Sequence, residues 1–575
     1  MQRFTKLTLL LLLFQAATLT WASSLNLLSA TDDAGKALLK LFTYDAEGKL
    51  LHTGTAFFVS EKAEGVTTYT LMQGASRAEV IDTKGKKYVV SRILGANSTT
   101  DLVKFSVEGV RKCSFMQPAA TPAGKGSRLF MLPADATKKS QPLAVTITDT
   151  EAYNQWLYFQ TSAENKDEVF GLPLFNENGE VAAILQRNVK QGATTACAID
   201  ARFINELNIT ATSSLQSDLR TLLIPKALPD NAHDALTYLY MLPQNDTLWA
   251  QTAYNDFVAT YPQMPDGYLN RATFTAGKGL YADSEADLDK ALQLAAASTD
   301  STYMTADAVH YHVSNLIYRT ITARTDTAAV HPDWTLQRAE QEAAQAYALK
   351  PNALYLMQRG YCCFAAKRYA DAYRHFEQAS HDANFASSET FFATARALEL
   401  SGGDTLQVMA LLDSCIARLP QPASARNAQY YIERAARLLQ AKRFRAAVED
   451  YNEYEKAVGP RNLSDNFYYL RSQAELEAHM YQQALDDMRT AIATAAMPLP
   501  YRLEEAYILL RVGEFEEAID AATRLLADLP ENPDCYRIIG VAHGELGHKK
   551  LAVENLTKAQ QLGDDVAASF LPKYQ

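Results

Sequence analysis

Basic clusters are missing from this 575-residue chain. Its 55 Lys and Arg are outnumbered by 66 Asp and Glu, for a formal net charge of −11. No stretch gathers the positive side chains that nucleic acid or an anionic membrane surface would need, so neither partner is expected. Cysteine is scarce: Cys113, Cys197, Cys362, Cys363, Cys415 and Cys535 are all there are. Their spacing fits no zinc pattern and no dense disulfide framework. Cys113 and Cys197 share one half of the chain and could bridge in an oxidising compartment. The adjacent Cys362 and Cys363 fall inside an expected helix and read as small core residues. His310 and His312 are two apart, on opposite sides of a helix, and so make no metal pair. Gly-rich phosphate loops are absent as well, and no cofactor or metal is expected. After the first two dozen residues, no apolar run approaches the ~20 residues a bilayer span needs.

What is present points to an exported, folded chain of two or more domains. Thirty tyrosines and 48% apolar residues argue against disorder, and the length exceeds what one core accommodates. The opening "MQRFTKLTLLLLLFQAATLTWAS" has a charged start at Arg3 and Lys6, an apolar run from Leu7 to Phe14, and a small-residue cleavage site after Ala22. Residues 1–22 are therefore expected to be a signal peptide. No cysteine lies near the cut, which argues against a lipoprotein. The expected location is the periplasm or the cell envelope, with no integral membrane segment once the signal is removed.

From about Ala37 to Ile209, short alternating or apolar runs are split by turn residues: "ALLKLFTYD", "GTAFFVS", "KYVVSRIL", "LVKFSV", "AVTITDT", "WLYFQT", "VAAILQR". Regularly spaced strands of this kind predict an antiparallel barrel or sandwich. Five segments, in order, resemble the trypsin-like serine proteases, especially the bacterial HtrA/Deg branch. "GTAFFVS" is similar to the strand before the catalytic histidine, and "TLMQGASRAEV" to the segment carrying it. "ANSTTDLVKFSV" is similar to the aspartate segment, "VFGLPLFNENGEVAAIL" to the serine segment, and "CAIDARFINEL" to the closing strand and helix. The resemblance covers residues 31–209 and implies a double β-barrel.

It also implies where the catalytic triad should be. The histidine position falls on Gln73, the aspartate on Asp101 and the serine on Phe170. An amide cannot take and return a proton near neutral pH, and a benzyl side chain has no nucleophilic atom. Gly171 is kept after the nucleophile position, but Leu172 replaces its glycine neighbour, which puts the oxyanion-binding amides in doubt. His52 is the only histidine before His233 and lies on the wrong segment to serve as base; Thr161 and Ser162 have no assigned base either. Asp101 then reads as a structural carboxylate that accepts backbone hydrogen bonds. No catalytic residue is expected.

Beyond "TATSSLQSDLRTLLIPKALPDNAH", a polar, proline-bearing stretch read as a linker over 210–232, helical periodicity takes over. The chain aligns on itself at intervals near 34 residues, as in "ALYLMQRGYCCFAAKRYADAYRHFEQA", "AQYYIERAARLLQAKRFRAAVEDYNEY" and "DNFYYLRSQAELEAHMYQQALDDMRTA". In each, a large residue precedes a small one by four: Leu356 and Gly360, Tyr431 and Ala435, Tyr468 and Ser472. An aromatic then opens the second helix, with alanine three residues later. Small residues at those points let two antiparallel helices approach closely. The pattern resembles the tetratricopeptide repeat, which implies a solenoid of about eight or nine units over 233–563 and a terminal cap over 564–575. Arg271, Arg359, Arg434 and Arg471 recur at one position, and Asp287, Asp450 and Asp487 at another; repeated ion pairs within each unit are the expectation.

The resemblance implies protein partners and a groove lined by first-helix residues. Met357, Tyr361, Phe364, Leu439, Tyr469, Leu476, Tyr507 and Leu510 occupy that stripe; they suit an apolar peptide or partner helix, or equally burial by neighbouring units. The expected fold is an all-β double barrel followed by an all-α repeat, and the expected role a non-enzymatic scaffold or adaptor. Two alternatives stand beside it: an active serine endopeptidase with a displaced triad, and an envelope glycan-binding protein.

Overall fold

A computed structural model describes residues 29–133, 140–242, 247–298, 300, 302–324 and 330–575. The expected signal peptide lies outside these residues. Among them, no helix is long and apolar enough to cross a membrane.

Twelve strands form two closed antiparallel barrels. The first comprises β1 (Leu38–Tyr44), β2 (Leu50–Phe58), β3 (Glu64–Thr67), β4 (Arg77–Asp82), β5 (Lys87–Asn97) and β6 (Leu102–Val107), in the order β1-β2-β3-β6-β5-β4. The second comprises β7 (Arg128–Met131), β8 (Leu143–Tyr153), β9 (Trp156–Glu164), β10 (Pro173–Phe175), β11 (Val181–Gln186) and β12 (Thr195–Asp200). Its order, β10-β11-β12-β9-β8-β7, is the same path six strands later. Closure removes the unpaired edges an open sheet would expose. Alternation sends Leu39 and Leu41, and then Val103 and Phe105, into the first core. β11 is buried along its whole length, so Val181 to Leu185 read as an apolar run rather than an alternating one. Asn176-Glu177-Asn178-Gly179 makes the expected hairpin: Gly179 has φ +85°, and the Asn176 side chain accepts from the amides of Asn178 and Glu180.

The stretch read as a linker is not a free tether. Gly74 N–H donates to Thr221 O, Leu223 N–H to Ala75 O, and Ala227 N–H to Ile93 O, while Ile93 N–H donates to Pro225 O. Leu219, Leu222 and Ile224 are buried in the core of the first barrel. That core continues into the helices Ala232–Tyr240 and Thr247–Thr260 through Tyr238, Trp249, Tyr254 and Phe257. Arg92 on β5 holds Asp256 with two bonds of 2.8 and 2.9 Å. The polar composition of 210–232 hid a short apolar set, spaced for one buried face. Contacts divide the chain into two compact units between Val309 and His310, well after the expected boundary at 232/233.

From Ala232 onward every described element is helical. The small residues act as the sequence implies. A Cβ on Gly360 would sit 2.3 Å from the ring of Phe376 on the next helix, and one on Gly540 2.8 Å from Leu556. At the C-terminus, helix Asp565–Tyr574 buries Ala567 and Tyr574, and a Cβ on Gly544 would meet the Tyr574 ring at 2.5 Å. This segment packs on Val541, Ala552, Leu556 and Ala559.

Candidate functional site

Gln73 ends the helical turn Tyr69–Met72, donating its backbone N–H to Tyr69 O at 3.0 Å, and its side chain is exposed. Asp101 ends the loop between β5 and β6 in the left-handed region, φ +49°, which Asp tolerates better than most residues. Its carboxylate accepts from both the backbone N–H and the hydroxyl of Thr70, each at 2.8 Å, and its carbonyl accepts from Tyr69 N–H. Asp101 ties the turn carrying Gln73 to the β5–β6 loop. Burial pushes its pKa up, against the opposing pull of the Thr70 bonds and the charge of Arg187.

Phe170 follows a single 3-10 turn, Asp167–Val169, and packs half-buried against the core of the second barrel. The guanidinium of Arg187, at the end of β11, lies 4.9 Å from the centre of its ring and also pairs with Asp167. Arg187 thus covers the Phe170 ring and ties it to the Asp167 turn. Gly171 has φ +82°, and an added Cβ would fall 2.9 Å from Thr55 O, so only glycine fits. Its N–H donates to Leu185 O at 2.8 Å, and the N–H of the buried Leu172 donates to Val169 O. Both amides are thus engaged within the barrel.

The other hydroxyls singled out in this region are engaged structurally. Thr161 donates to Ala196 O at 2.7 Å, and Ser162 accepts from Thr146 N–H at 2.9 Å. His52 is exposed on β2. Cys113 and Cys197 are both free: the first approaches Ser60 O and the second Arg187 O, in different barrels. Sequence reasoning missed Arg187, Gln186 and Tyr158. Gln186 donates to Thr100 O, and Tyr158 to Thr99 O, joining the second barrel to the Asp101 loop. No motif marks them, since their role depends on strand register.

In the helical region the recurring charges pair within each unit. Arg271 grips Asp287 at 2.8 and 2.7 Å, Arg434 grips Asp450 at 2.9 and 2.7 Å, and Arg471 grips Asp487 at 2.6 and 2.9 Å. Each pair spans 16 residues, from the first helix of a unit to the second. Arg359 departs from the pattern, as 16 residues on it meets His375 instead of an aspartate.

The expected groove residues divide. Met357 and Leu476 are core residues, 4% and 2% exposed, and cannot line a surface. Met357 packs with Phe376, Ala379 and Ala397, and Leu476 with Leu485, Met488 and Leu509. In both cases the neighbouring helix pair covers the position. Tyr361 is half-buried, with its ring against Tyr318 and Phe376 and its hydroxyl donating to Glu389 at 2.8 Å. Phe364 stands edge-on to Tyr369, and Tyr469 tilts against Tyr501. Leu439 and Leu510 are half-buried, and Tyr507 is the most open, at 41%.

No protein-family model matches the chain, and no curated protein matches it in sequence. Among solved structures it is similar to the serine endoprotease from Yersinia pestis, with 17% identity and a TM-score of 0.27. That match covers 31% of this chain and 63% of the Yersinia chain, so it spans less than two thirds of that protein.

Proposed function

We propose that the protein is an exported, non-enzymatic scaffold or adaptor: a trypsin-like double barrel that has lost its chemistry, joined to a tetratricopeptide array that binds protein or peptide partners. The observation that carries the reading is the pair Gln73 and Phe170. At the positions that the resemblance gives to base and nucleophile, the chain carries an exposed amide and a ring covered by Arg187. A triad needs a proton acceptor and a nucleophile at those two places. The third position, Asp101, is engaged with Thr70.

The array offers Phe364, Leu439, Tyr469, Tyr507 and Leu510 as the accessible part of an apolar stripe, which suits a partner helix or an extended apolar peptide. Reaction of the purified protein with a fluorophosphonate probe separates the readings. No labelled serine and no casein turnover is the expected result, whereas stoichiometric labelling of any serine makes the protein a hydrolase. Substituting Tyr507 and Leu510 by Ala should weaken binding to a captured envelope partner at least tenfold. Unchanged affinity would remove this stripe from the interface.

A further inference from the structure

The unit spanning residues 353–380 breaks the repeat's charge pattern, and what replaces the missing aspartate is chemically specific. His375 lies on helix Tyr369–Ser380, Cys363 on helix Ala353–Ala365, and Glu340 on the preceding helix Leu336–Leu349. The imidazole nitrogen, the thiol sulfur and a carboxylate oxygen all lie within 4.8 Å of one another. Cys363 is fully buried, while the Glu340 and His375 side chains are each 17% exposed, leaving a path from solvent. We propose that Glu340, Cys363 and His375 form a binding site for a zinc-class divalent cation that pins these three helices together.

The donor set selects the metal. A thiolate with an imidazole and a carboxylate suits Zn2+ and its late first-row neighbours, and disfavours Mg2+ or Ca2+, which take oxygen ligands. Three protein ligands leave the fourth tetrahedral position to water or to a partner's side chain. Zn–N and Zn–S bonds of about 2.0 and 2.3 Å require the three atoms to draw together by roughly 1 Å, within reach of side-chain rotation.

The surroundings suit this arrangement. Glu340 has two oxygens with different tasks: Arg368 holds Oε2, and Oε1 lies 4.0 Å from both His375 Nε2 and Arg359 Nη2. Oε1 is therefore the ligand atom, and Arg368 supports the carboxylate from outside. Arg368 also places Nη2 3.2 Å from Cys363 Sγ and keeps Asp371 as a partner at 2.9 Å. Arg374 pairs with Asp371 rather than with the cluster. Loading is balanced by one proton: the aqueous cation displaces the Cys363 thiol proton to solvent as the S–metal bond forms.

The test uses full-length reduced protein with Co2+ as a spectroscopic probe and Zn2+ in competition. One Co2+ per chain is expected, with a sulfur-to-cobalt charge-transfer band that Zn2+ bleaches. Cys363→Ser should abolish the band, while Cys362→Ser should leave it. His375→Gln should weaken Zn2+ binding at least tenfold, and it tests the site should Cys363→Ser fail to fold. Absence of the band in the unsubstituted protein overturns the proposal. So does a band that survives Cys363→Ser, or Zn2+ affinity unchanged by His375→Gln.

Discussion

The two regions of the chain hold their carboxylates by different means. In the helical units, Asp287, Asp450 and Asp487 each accept two bonds from an arginine one helix away. In the barrels, Asp101 is held by the N–H and hydroxyl of one threonine at the start of a helical turn. The first arrangement buries two charges that depend on each other. The second satisfies one side chain largely from local backbone geometry, which an uncharged acceptor could equally use. Removing a partner in the helices should therefore strand a charge, while neutralising Asp101 should strand nothing.

The largest effect is expected at Asp450, which is 2% exposed. Asp450→Ala leaves the Arg434 guanidinium with only the more exposed Asp413, and should cost about 3–5 kcal/mol in urea denaturation. A loss below ~1 kcal/mol would mean that the pair behaves like a surface ion pair, and the contrast with Asp101 would fail.

Next comes a pH effect in the unit of Arg471. Glu475 is 4% exposed, its Oε2 has no hydrogen-bond partner, and it lies beside Asp487. Burial first, and the charge of Asp487 second, push its carboxyl from 4.5 up to about 8. An acid with a raised folded-state pKa stabilises the fold in its neutral form. That contribution is full below about 4.5 and is lost as pH rises through about 8. Thermal stability should fall over this window by an amount equivalent to roughly 1–3 kcal/mol, and Glu475→Gln should flatten the fall. An unchanged slope in the variant would place the titrating group elsewhere.

These differences also explain what could be read from the sequence. The helical units repeat, so Arg434 and Asp450 were visible as a pair before their bonds were known, and Gly360 and Gly540 as points of close approach. The barrels were legible from strand alternation and from five segments in order, whose resemblance assigned Gln73, Asp101 and Phe170 to the triad positions. Arg187 was not legible, because its position over Phe170 depends on where β11 ends. The packing of 210–232 on the barrel was not legible because Leu219, Leu222 and Ile224 are too few to outweigh their polar neighbours. Met357 and Leu476 were misplaced for a related reason: periodicity gives the face of a helix, but not which neighbouring pair covers it. Glu340, Cys363 and His375 come from three helices, and no local spacing links them.

A smaller effect tests the broken unit directly. His375→Asp restores the repeat's pairing by offering Arg359, whose buried Nε has no hydrogen-bond partner, a carboxylate 16 residues on. Measured with a chelator present, it should stabilise the protein by about 1 kcal/mol, the net value of a typical hydrogen bond. Destabilisation would show that the backbone here cannot adopt the geometry of the Arg434 unit.

The smallest effect is expected at Asp101. Asp101→Asn keeps an amide oxygen to accept from Thr70 N–H, and asparagine also tolerates the φ of +49°. It removes a charge whose burial is unfavourable, as the raised pKa records. The two contributions oppose each other, so stability should change by less than about 0.5 kcal/mol at neutral pH. Asp101→Ala removes the acceptor altogether and should cost about 1 kcal/mol, the usual value of such a side-chain cap. Equal losses in the two variants would mean that the negative charge itself is required at this position. The barrel would then depend on charge as the Arg434 unit does, and the contrast between the regions would disappear.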